Sequence, residues 1–147
     1  MICVLNINET KWRRRKMNEI ENDFELAQKA MKKAHEPYSD YKVGAVLTAK
    51  SGKQYTGCNI ANHGIQSICA ERVAFVKAIS EGERTFERIV IVGGDENNLE
   101  ECLPCGYCRQ FISEFVDEKF KIYAWNGKGG KCYSISELLP YGFQLQK

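Results

Sequence analysis

Three cysteines and one glutamate are the residues of this chain best suited to chemistry. Cys105 and Cys108 form a C-x2-C pair directly after Pro104, and Cys69 stands alone well upstream of them. Thiolates are ligands that zinc prefers, and three protein ligands leave one tetrahedral position open for water, which is typical of catalytic rather than structural zinc. The spacing therefore predicts a catalytic Zn²⁺ site made by Cys69, Cys105 and Cys108.

Glu71 follows the first cysteine by two residues, close enough to reach a zinc-bound water without binding the metal. Zinc lowers the pKa of its water toward neutrality, and a neighbouring carboxylate can take that proton and pass it on. We expect Glu71 to be the catalytic proton carrier. Arg72 is expected to hydrogen-bond thiolate sulfur and offset its charge; Arg109, beside Cys108, has a weaker positional case, and the alternative for both is an ordinary surface or ion-pair role.

A closed structural zinc site is the alternative to this arrangement. Cys102 lies three residues before Cys105, so four cysteines are available to saturate the metal. We favour the open site because Glu71 would otherwise be an unpaired acid beside a saturated metal. The intervening Pro104 also sets an entry geometry in which Cys102 points away from the helix.

Both halves of the cysteine pattern fall at predicted helix starts. Cys69 ends a polar loop and begins an apolar-periodic segment over 69–80, and proline before Cys105 is typical of the first turn of a helix, here predicted over 105–116. A helix N-terminus favours negative charge and lowers a thiol's pKa. Two helix N-termini are thus predicted to meet at the metal.

The other predicted elements alternate between helix and strand. We expect an amphipathic helix over 19–34, a hairpin of strands 41–49 and 54–58, a doubly buried strand over 88–93, an acidic surface loop over 95–101, strands over 121–125 and 131–134, and a short last helix capped by Ser134 or Ser136. This alternation predicts an α/β fold with a mixed five-stranded sheet and helices on both faces.

Length and composition restrict the partners. The 147 residues suit one domain, and neither a bilayer-spanning apolar run nor a secretory signal is visible, so we expect a cytoplasmic protein without a membrane partner. A net charge of +2 does not indicate a nucleic-acid surface. Seven cysteines, three with metal spacing, favour reduced thiols over disulfides. A small-molecule partner is predicted.

The first 16 residues differ from the rest in carrying a basic run at 11–16, immediately before Met17. One interpretation is a targeting or nucleic-acid-binding arm. The other, which we favour, is a poorly ordered extension upstream of an alternative start. We therefore divide the chain into an extension, residues 1–16, and a single zinc-dependent domain, residues 17–147.

With these motifs in view, the chain resembles the small homotetrameric, zinc-dependent cytidine deaminases, a family related to the blasticidin S deaminases. The C-x-E and P-C-x2-C motifs are the zinc-deaminase arrangement. The resemblance extends from about residue 24 to 143 and includes four further segments: Pro37-Tyr38-Ser39-Asp40-Tyr41-Lys42-Val43-Gly44-Ala45, Gly57-Cys58-Asn59-Ile60, Cys108-Arg109-Gln110 and Leu138-Leu139-Pro140-Tyr141-Gly142-Phe143.

The resemblance implies a cytidine deaminase-like fold and a role for each matching residue. It assigns the zinc to the three cysteines and the proton transfers to Glu71. It also implies that the Ala70 backbone contacts the pyrimidine carbonyl, that Asn59 contacts the ribose, and that Tyr41 lines the pocket where the family usually has Phe. Phe143 would stack on the base in a neighbouring subunit's site, as expected of a homotetramer with shared active sites.

The implied reaction is hydrolytic deamination of cytidine or deoxycytidine to uridine or deoxyuridine and ammonia, a step of pyrimidine salvage without an organic cofactor. Deaminases of RNA or DNA are not favoured, because their first ligand is normally His and this chain has no basic groove outside residues 11–16.

Two departures from the family concern the sugar. The family usually reads Asn-x-Glu-Asn after the second strand, where this chain has Ala61, and the path from Asn59 to Cys69 is one residue shorter than in typical members. Alanine cannot accept a hydrogen bond, so a ribose hydroxyl there would need water, Asn62 or His63. His63 has three interpretations: sugar contact, plain loop residue, or zinc ligand, the last disfavoured because the three-cysteine set is complete.

Two alternative functions follow. The first keeps the chemistry but changes the substrate to a cytosine-containing antibiotic such as blasticidin S, whose sugar is not ribose. The second is a structural zinc-binding protein without activity, which the intact Glu71 argues against.

Overall fold

Residues 11–64 and 66–145 are described by the computed structural model, and within them six strands form one mixed sheet. The elements in chain order are α1 Lys11–Met31, β1 Lys42–Ala49, β2 Gln54–Cys58, α2 Ala70–Ser80, β3 Phe86–Gly94, β4 Leu99–Glu100, α3 Gly106–Ser113, β5 Lys121–Trp125, β6 Gly130–Tyr133 and α4 Ile135–Leu138.

The strands follow the order β2-β1-β3-β5-β6 across the sheet. β3 and β5 pair in parallel, and the other neighbours along this path are antiparallel. The predicted mixed α/β sheet is confirmed, and its five strands correspond to the five on this path. The sixth, β4, corrects the prediction of a plain loop over 95–101: it pairs with Gly93 and Gly94 at the end of β3. Two residues are too few to leave an alternating pattern in the sequence.

Helices cover both faces of the sheet, as predicted. Along β3, Ile89 and Ile91 pack with residues of α2, α3 and α4, whereas Val90 and Val92 pack with residues of α1. Successive strand residues point to opposite faces, and a strand covered on both sides is expected to be apolar throughout. β3 is therefore the central strand between two apolar layers, and we call these layers the α2–α3 face and the α1 face.

Helix α1 is displaced from its predicted bounds of 19–34. It begins at Lys11, so residues 11–16 of the predicted extension form its first turns, and residues 1–10 lie outside the described part. Lys16 Nζ lies 3.4 Å from Glu87 Oε1 of β3, which ties the basic segment to the sheet. The helix ends at Met31, and Ala34 N–H donates to the Met31 carbonyl in the turn beyond. Nowhere in residues 11–64 and 66–145 is a helix long and apolar enough to cross a membrane.

Helical periodicity in the sequence predicts Val73, Phe75, Val76 and Ile79 as the buried side of α2, and the structure differs in part. Phe75 is buried and Ile79 packs partly buried against the same core, but the other fully buried apolar residues of the helix are alanines, and Val76 is 41% exposed. β2 approaches so closely that a Cβ on Gly57 would overlap the Ala70 carbonyl oxygen. Only small side chains fit such a close approach of strand and helix, so Val76 faces outward.

Candidate active site

The starts of α2 and α3 meet on the α2–α3 face. Cys69 is the N-cap residue of α2 and Cys105 is the N-cap residue of α3, both with extended backbone conformation. Neither the Cys69 nor the Cys105 side chain makes a capping hydrogen bond to its own helix. Their sulfur atoms are therefore available to a shared ligand beside two sets of free helix N–H groups.

The sulfur atoms of Cys69, Cys105 and Cys108 lie within 4.8 Å of one another, and those of Cys69 and Cys105 are 3.8 Å apart. Two sulfurs on a tetrahedral zinc, each with a bond of about 2.3 Å, are about 3.8 Å apart. The cluster thus has the donor chemistry and the spacing that zinc requires. Among the described residues, this is the cluster of three His, Cys, Asp or Glu side chains whose ligand atoms lie close enough together to hold a metal ion.

One side of the cluster is open. Cys108 is fully buried and Cys69 partly, but Cys105 is exposed. Cys102 is not part of the group. Its side chain lies against Gly93 of β3, where a Cβ would overlap it, and burial, followed by the nearby charge of Glu71, raises the pKa of its thiol to about 12. These positions favour three ligands over the closed four-cysteine alternative.

Glu71 lies in the first turn of α2 and is only 3% exposed. Burial is the main cause that raises the pKa of its carboxyl to about 7; the charge of Cys69 adds to this rise, and hydrogen bonding to its own backbone together with the Arg72 charge oppose it. A carboxyl with a pKa near neutrality can both accept and donate a proton at the pH of a cell. The position and the protonation behaviour both suit the expected proton carrier.

The two arginines next to the cysteines differ in their contacts. Arg72 Nη2 lies 4.0 Å from Cys69 Sγ and donates to the Ser67 carbonyl at 3.2 Å. Hydrogen bonding with Cys108 is the largest cause that lowers the pKa of Cys69 to about 5, and the Arg72 contact lowers it further against the effect of burial. Arg72 therefore lies where it can donate a hydrogen bond to the Cys69 sulfur.

Arg109 instead donates to two backbone carbonyls, from Nε to Pro104 at 2.7 Å and from Nη1 to Leu138 at 3.0 Å. It joins the start of α3 to the end of α4. The described contacts of Arg109 thus favour a structural role, in which it connects two helices, over a contact with the metal ligands.

Asn59 and Tyr41, the expected substrate contacts, are joined to each other. Asn59 Oδ1 accepts from Val43 N–H at 2.7 Å, and Asn59 Nδ2 donates to the Tyr41 backbone carbonyl at 2.9 Å. The Tyr41 side chain is 37% exposed and reaches Cys102; burial first, and then Cys102, raises the pKa of its phenol to about 12. The Asn59 side chain consequently fixes the backbone at Tyr41 and Val43.

The remaining expected contacts lie farther out. His63 is exposed and packs edge-on against Tyr38, with ring centroids 5.9 Å apart, and it is not in the metal-binding group. Phe143 is 69% exposed, and its backbone N–H and carbonyl are both hydrogen-bonded to the Gln110 side chain of α3. Its ring is thus presented outward from its own chain. Ala61 is 8% exposed and adds no polar group.

Two contacts were not predicted from the sequence. Tyr107 places its ring under the Arg72 guanidinium, with Cζ 4.2 Å from the ring centroid. Glu36 Oε2 lies 3.5 Å from the Asn59 amide, while its other oxygen accepts from the backbone N–H groups of Tyr38 and Ser39. The sequence signal for the Arg72 contact was the aromatic Tyr107 between the two cysteines of the C-x2-C pair. No sequence signal indicated the contact between Glu36 and Asn59.

Comparisons with known proteins agree with this geometry. Residues 17–124 match the family model described as the cytidine and deoxycytidylate deaminase zinc-binding region. The chain is 39% identical over 130 residues to the cytidine deaminase of Sporosarcina psychrophila, covering 87% of this chain and 93% of that one. It is 34% identical over 131 residues to the blasticidin-S deaminase of Bacillus cereus, covering 84% and 93%.

A solved structure also matches closely. The cytidine deaminase of Burkholderia pseudomallei superposes with a TM-score of 0.76 at 35% identity, covering 84% of this chain and 98% of that one. The family match includes all three clustered cysteines within a zinc-binding region. The chain therefore belongs to the family of the cytidine and deoxycytidylate deaminase zinc-binding region, and its cofactor is Zn²⁺.

Proposed function

We propose that this protein catalyses the hydrolytic deamination of cytidine and deoxycytidine. Water replaces the 4-amino group of the base, and the products are uridine or deoxyuridine and ammonia. The observation that carries this proposal is the buried Glu71 carboxyl beside an open cluster of three thiols at two helix N-termini. Relatives that are 33–43% identical and bear the name cytidine deaminase support the choice of substrate.

Cys69, Cys105 and Cys108 would hold the zinc, which when bound makes water acidic enough to react near neutral pH. Glu71 takes the proton from the attacking water and delivers it to ring nitrogen N3. It then carries the second proton to the 4-amino group, which leaves as ammonia. A single carboxyl suffices for both transfers because its pKa of about 7 lets it cycle between its two forms.

The base would lie between the start of α2 and Tyr41. Backbone N–H groups in the first turn of a helix have no acceptor within the helix, which supports the assignment of the Ala70 backbone to the pyrimidine carbonyl. Asn59, already bonded to Val43 and Tyr41, would hold the pocket wall in place and leave fewer groups for the ribose. The sugar would therefore be bound less tightly than the base.

Ultraviolet absorbance during incubation with cytidine, deoxycytidine and, separately, blasticidin S tests the proposal. Glu71→Ala serves as the blank, and Glu81→Ala, which removes an exposed carboxylate just beyond the other end of α2, is the matched control. We expect turnover of both nucleosides by the wild type and Glu81→Ala, but none by the blank.

Turnover of blasticidin S alone would contradict the proposal and identify an antibiotic-inactivating enzyme. Zinc-loaded protein that turns over none of the three would also contradict it. The latter result would revive the inactive structural protein as the better account.

A homotetramer with shared active sites is the proposed assembly. Phe143 at 69% and Leu145 at 83% exposure place apolar surface on the C-terminal segment, and Val76 adds more on α2. These exposed apolar side chains would be covered if neighbouring subunits pack against them. Light scattering after size exclusion should give four chains per particle, and a monomeric, active protein would contradict the shared site.

We also propose that the enzyme acts in the cytoplasm, in pyrimidine salvage. Thiol ligands must stay reduced to bind zinc, which favours a reducing compartment. Cell fractionation followed by immunoblotting tests this location.

A further inference from the structure

The Arg72 guanidinium is held near the thiols by an unusual set of contacts. Nη2 contacts the Cys69 sulfur and the Ser67 carbonyl, and Nε is buried without a hydrogen-bond partner among the described residues. Arg72 Cζ lies over the Tyr107 ring, 4.2 Å from the ring centroid. That distance is well inside the range of about 6 Å for a cation–π interaction. The aromatic ring thus contacts a partly buried guanidinium that has no ion pair with a carboxylate among the described residues.

Tyr107 lies in α3, between Cys105 and Cys108, whereas Arg72 belongs to α2. The ring–guanidinium contact therefore joins the two helices whose N-termini carry the three thiols. Tyr107 is itself 66% exposed, so it contributes little to the apolar core. Within the described part of the chain, the contact that its ring makes is the one with Arg72.

The contact between Tyr107 and Arg72 bears on the net charge of the metal site. Three thiolates around Zn²⁺ carry a net negative charge, and a cation beside the sulfurs offsets it. Side chains that contact metal ligands without binding the metal orient those ligands and tune the affinity for the metal. An arginine near the surface has many alternative rotamers, and each rotamer that swings away leaves the thiolates uncompensated. A ring beneath the guanidinium favours the arrangement in which Arg72 contacts the Cys69 sulfur.

We propose that Tyr107 is a positioning residue that holds Arg72 against the zinc-binding thiolates and thereby slows loss of the metal. The effect on the metal does not depend on which substrate the enzyme uses. An effect on turnover rests on the proposed deaminase function.

The rate of zinc release into excess chromogenic chelator tests this proposal on purified holoenzyme. Tyr107→Leu removes the π face and should release zinc about two- to fivefold faster than the wild type, as expected for a cation–π contact near the surface. Tyr107→Phe keeps the ring and should restore the wild-type rate. Tyr141→Leu, which changes a 96% exposed tyrosine elsewhere, is the matched control and should not alter the rate.

A double-mutant cycle separates positioning from simple helix stability. In an Arg72→Gln background, adding Tyr107→Leu should cause no further acceleration, because the group that the ring positions is gone. Zinc content and far-ultraviolet circular dichroism before each run verify that the variants are folded and loaded.

Three results would overturn the proposal: additive effects in the cycle, failure of Phe to restore the rate, or wild-type release by Tyr107→Leu. With cytidine as substrate, Tyr107→Leu should lower kcat by a similar factor and leave KM nearly unchanged. Faster zinc release in an enzyme that does not turn over cytidine would contradict the proposed function while supporting the role of Tyr107.

Discussion

Among residues 11–64 and 66–145, each face of the sheet buries one carboxylate, and the two have different surroundings. On the α1 face, Asp23 is 1% exposed, and its Oδ2 lies 2.7 Å from Arg88 Nε, while Oδ1 accepts from the Gln54 amide. On the α2–α3 face, Glu71 is 3% exposed, and burial raises the pKa of its carboxyl to about 7. Within the described part of the chain, a guanidinium contacts the Asp23 carboxylate directly but not that of Glu71.

The difference separates a structural acid from a chemical one. A buried charge is costly unless it is paired and hydrogen-bonded, and Arg88 with Gln54 satisfies both oxygens of Asp23. Removing either partner would leave a buried group unsatisfied. For Glu71, the hydrogen bond to its own backbone and the Arg72 charge do not offset burial, so its burial lowers stability and leaves its proton free to move. A buried carboxyl of that kind next to a metal cluster is a candidate for catalysis.

Two buried cysteines, one on each face, provide the largest expected effect. Cys108→Ser should abolish zinc binding and reduce turnover to background, because serine replaces a zinc ligand. Cys132→Ser, which changes a cysteine that is 7% exposed on the α1 face, should keep both zinc and turnover. Metal analysis of the purified proteins and the ultraviolet assay measure the two effects. A normal zinc content in Cys108→Ser would show that the metal does not depend on Cys108 of the α2–α3 face, and it would contradict the comparison.

Asp23→Ala should give the largest loss of stability. It leaves Arg88 buried at 5% exposure without its main partner, and breaking a buried pair in this way costs about 3–5 kcal/mol. Residual pairing of Arg88 with Glu87 and Glu19 favours the lower end. Urea unfolding of zinc-loaded protein measures the change, and Glu25→Ala, an exposed acid on the same helix, should change it little. Loss of turnover at a temperature where Asp23→Ala is folded would contradict a purely structural Asp23.

Gln54→Leu should have a smaller effect of the same kind. It removes one hydrogen bond to the Asp23 carboxylate and leaves the ion pair with Arg88 in place. A hydrogen bond to a charged group contributes about 1.5–3 kcal/mol, so the unfolding free energy should fall by about that amount. Unchanged stability would show that Arg88 alone satisfies Asp23.

Local signals in the sequence predicted much of the α2–α3 face. Proline before Cys105 and the polar loop before Cys69 indicated two helix starts, and both cysteines are N-cap residues. Ser134, one of two suggested caps, begins α4 with a full capping box to Glu137. Because these features depend on residues within one turn of each other, the chain itself displays them.

Contacts between distant residues could not be predicted in the same way. Asp23 and Arg88 are 65 positions apart, and periodicity shows which face a residue takes but not its partner. Arg109 faces the Leu138 carbonyl rather than a thiolate for the same reason. The early start of α1 was missed because residues 11–16 carry charge without an apolar stripe, and the contact of Lys16 with Glu87 appears only in the fold.

Glu71→Gln, measured for both turnover and unfolding, tests the central claim most directly. The amide matches the carboxyl in shape but cannot carry the proton. We predict that turnover falls by roughly 10²–10⁴-fold, the usual contribution of general acid–base catalysis, while the urea midpoint of the zinc-loaded protein stays the same or rises. Turnover within tenfold of the wild type, or a stability loss like that of Asp23→Ala, would contradict the account.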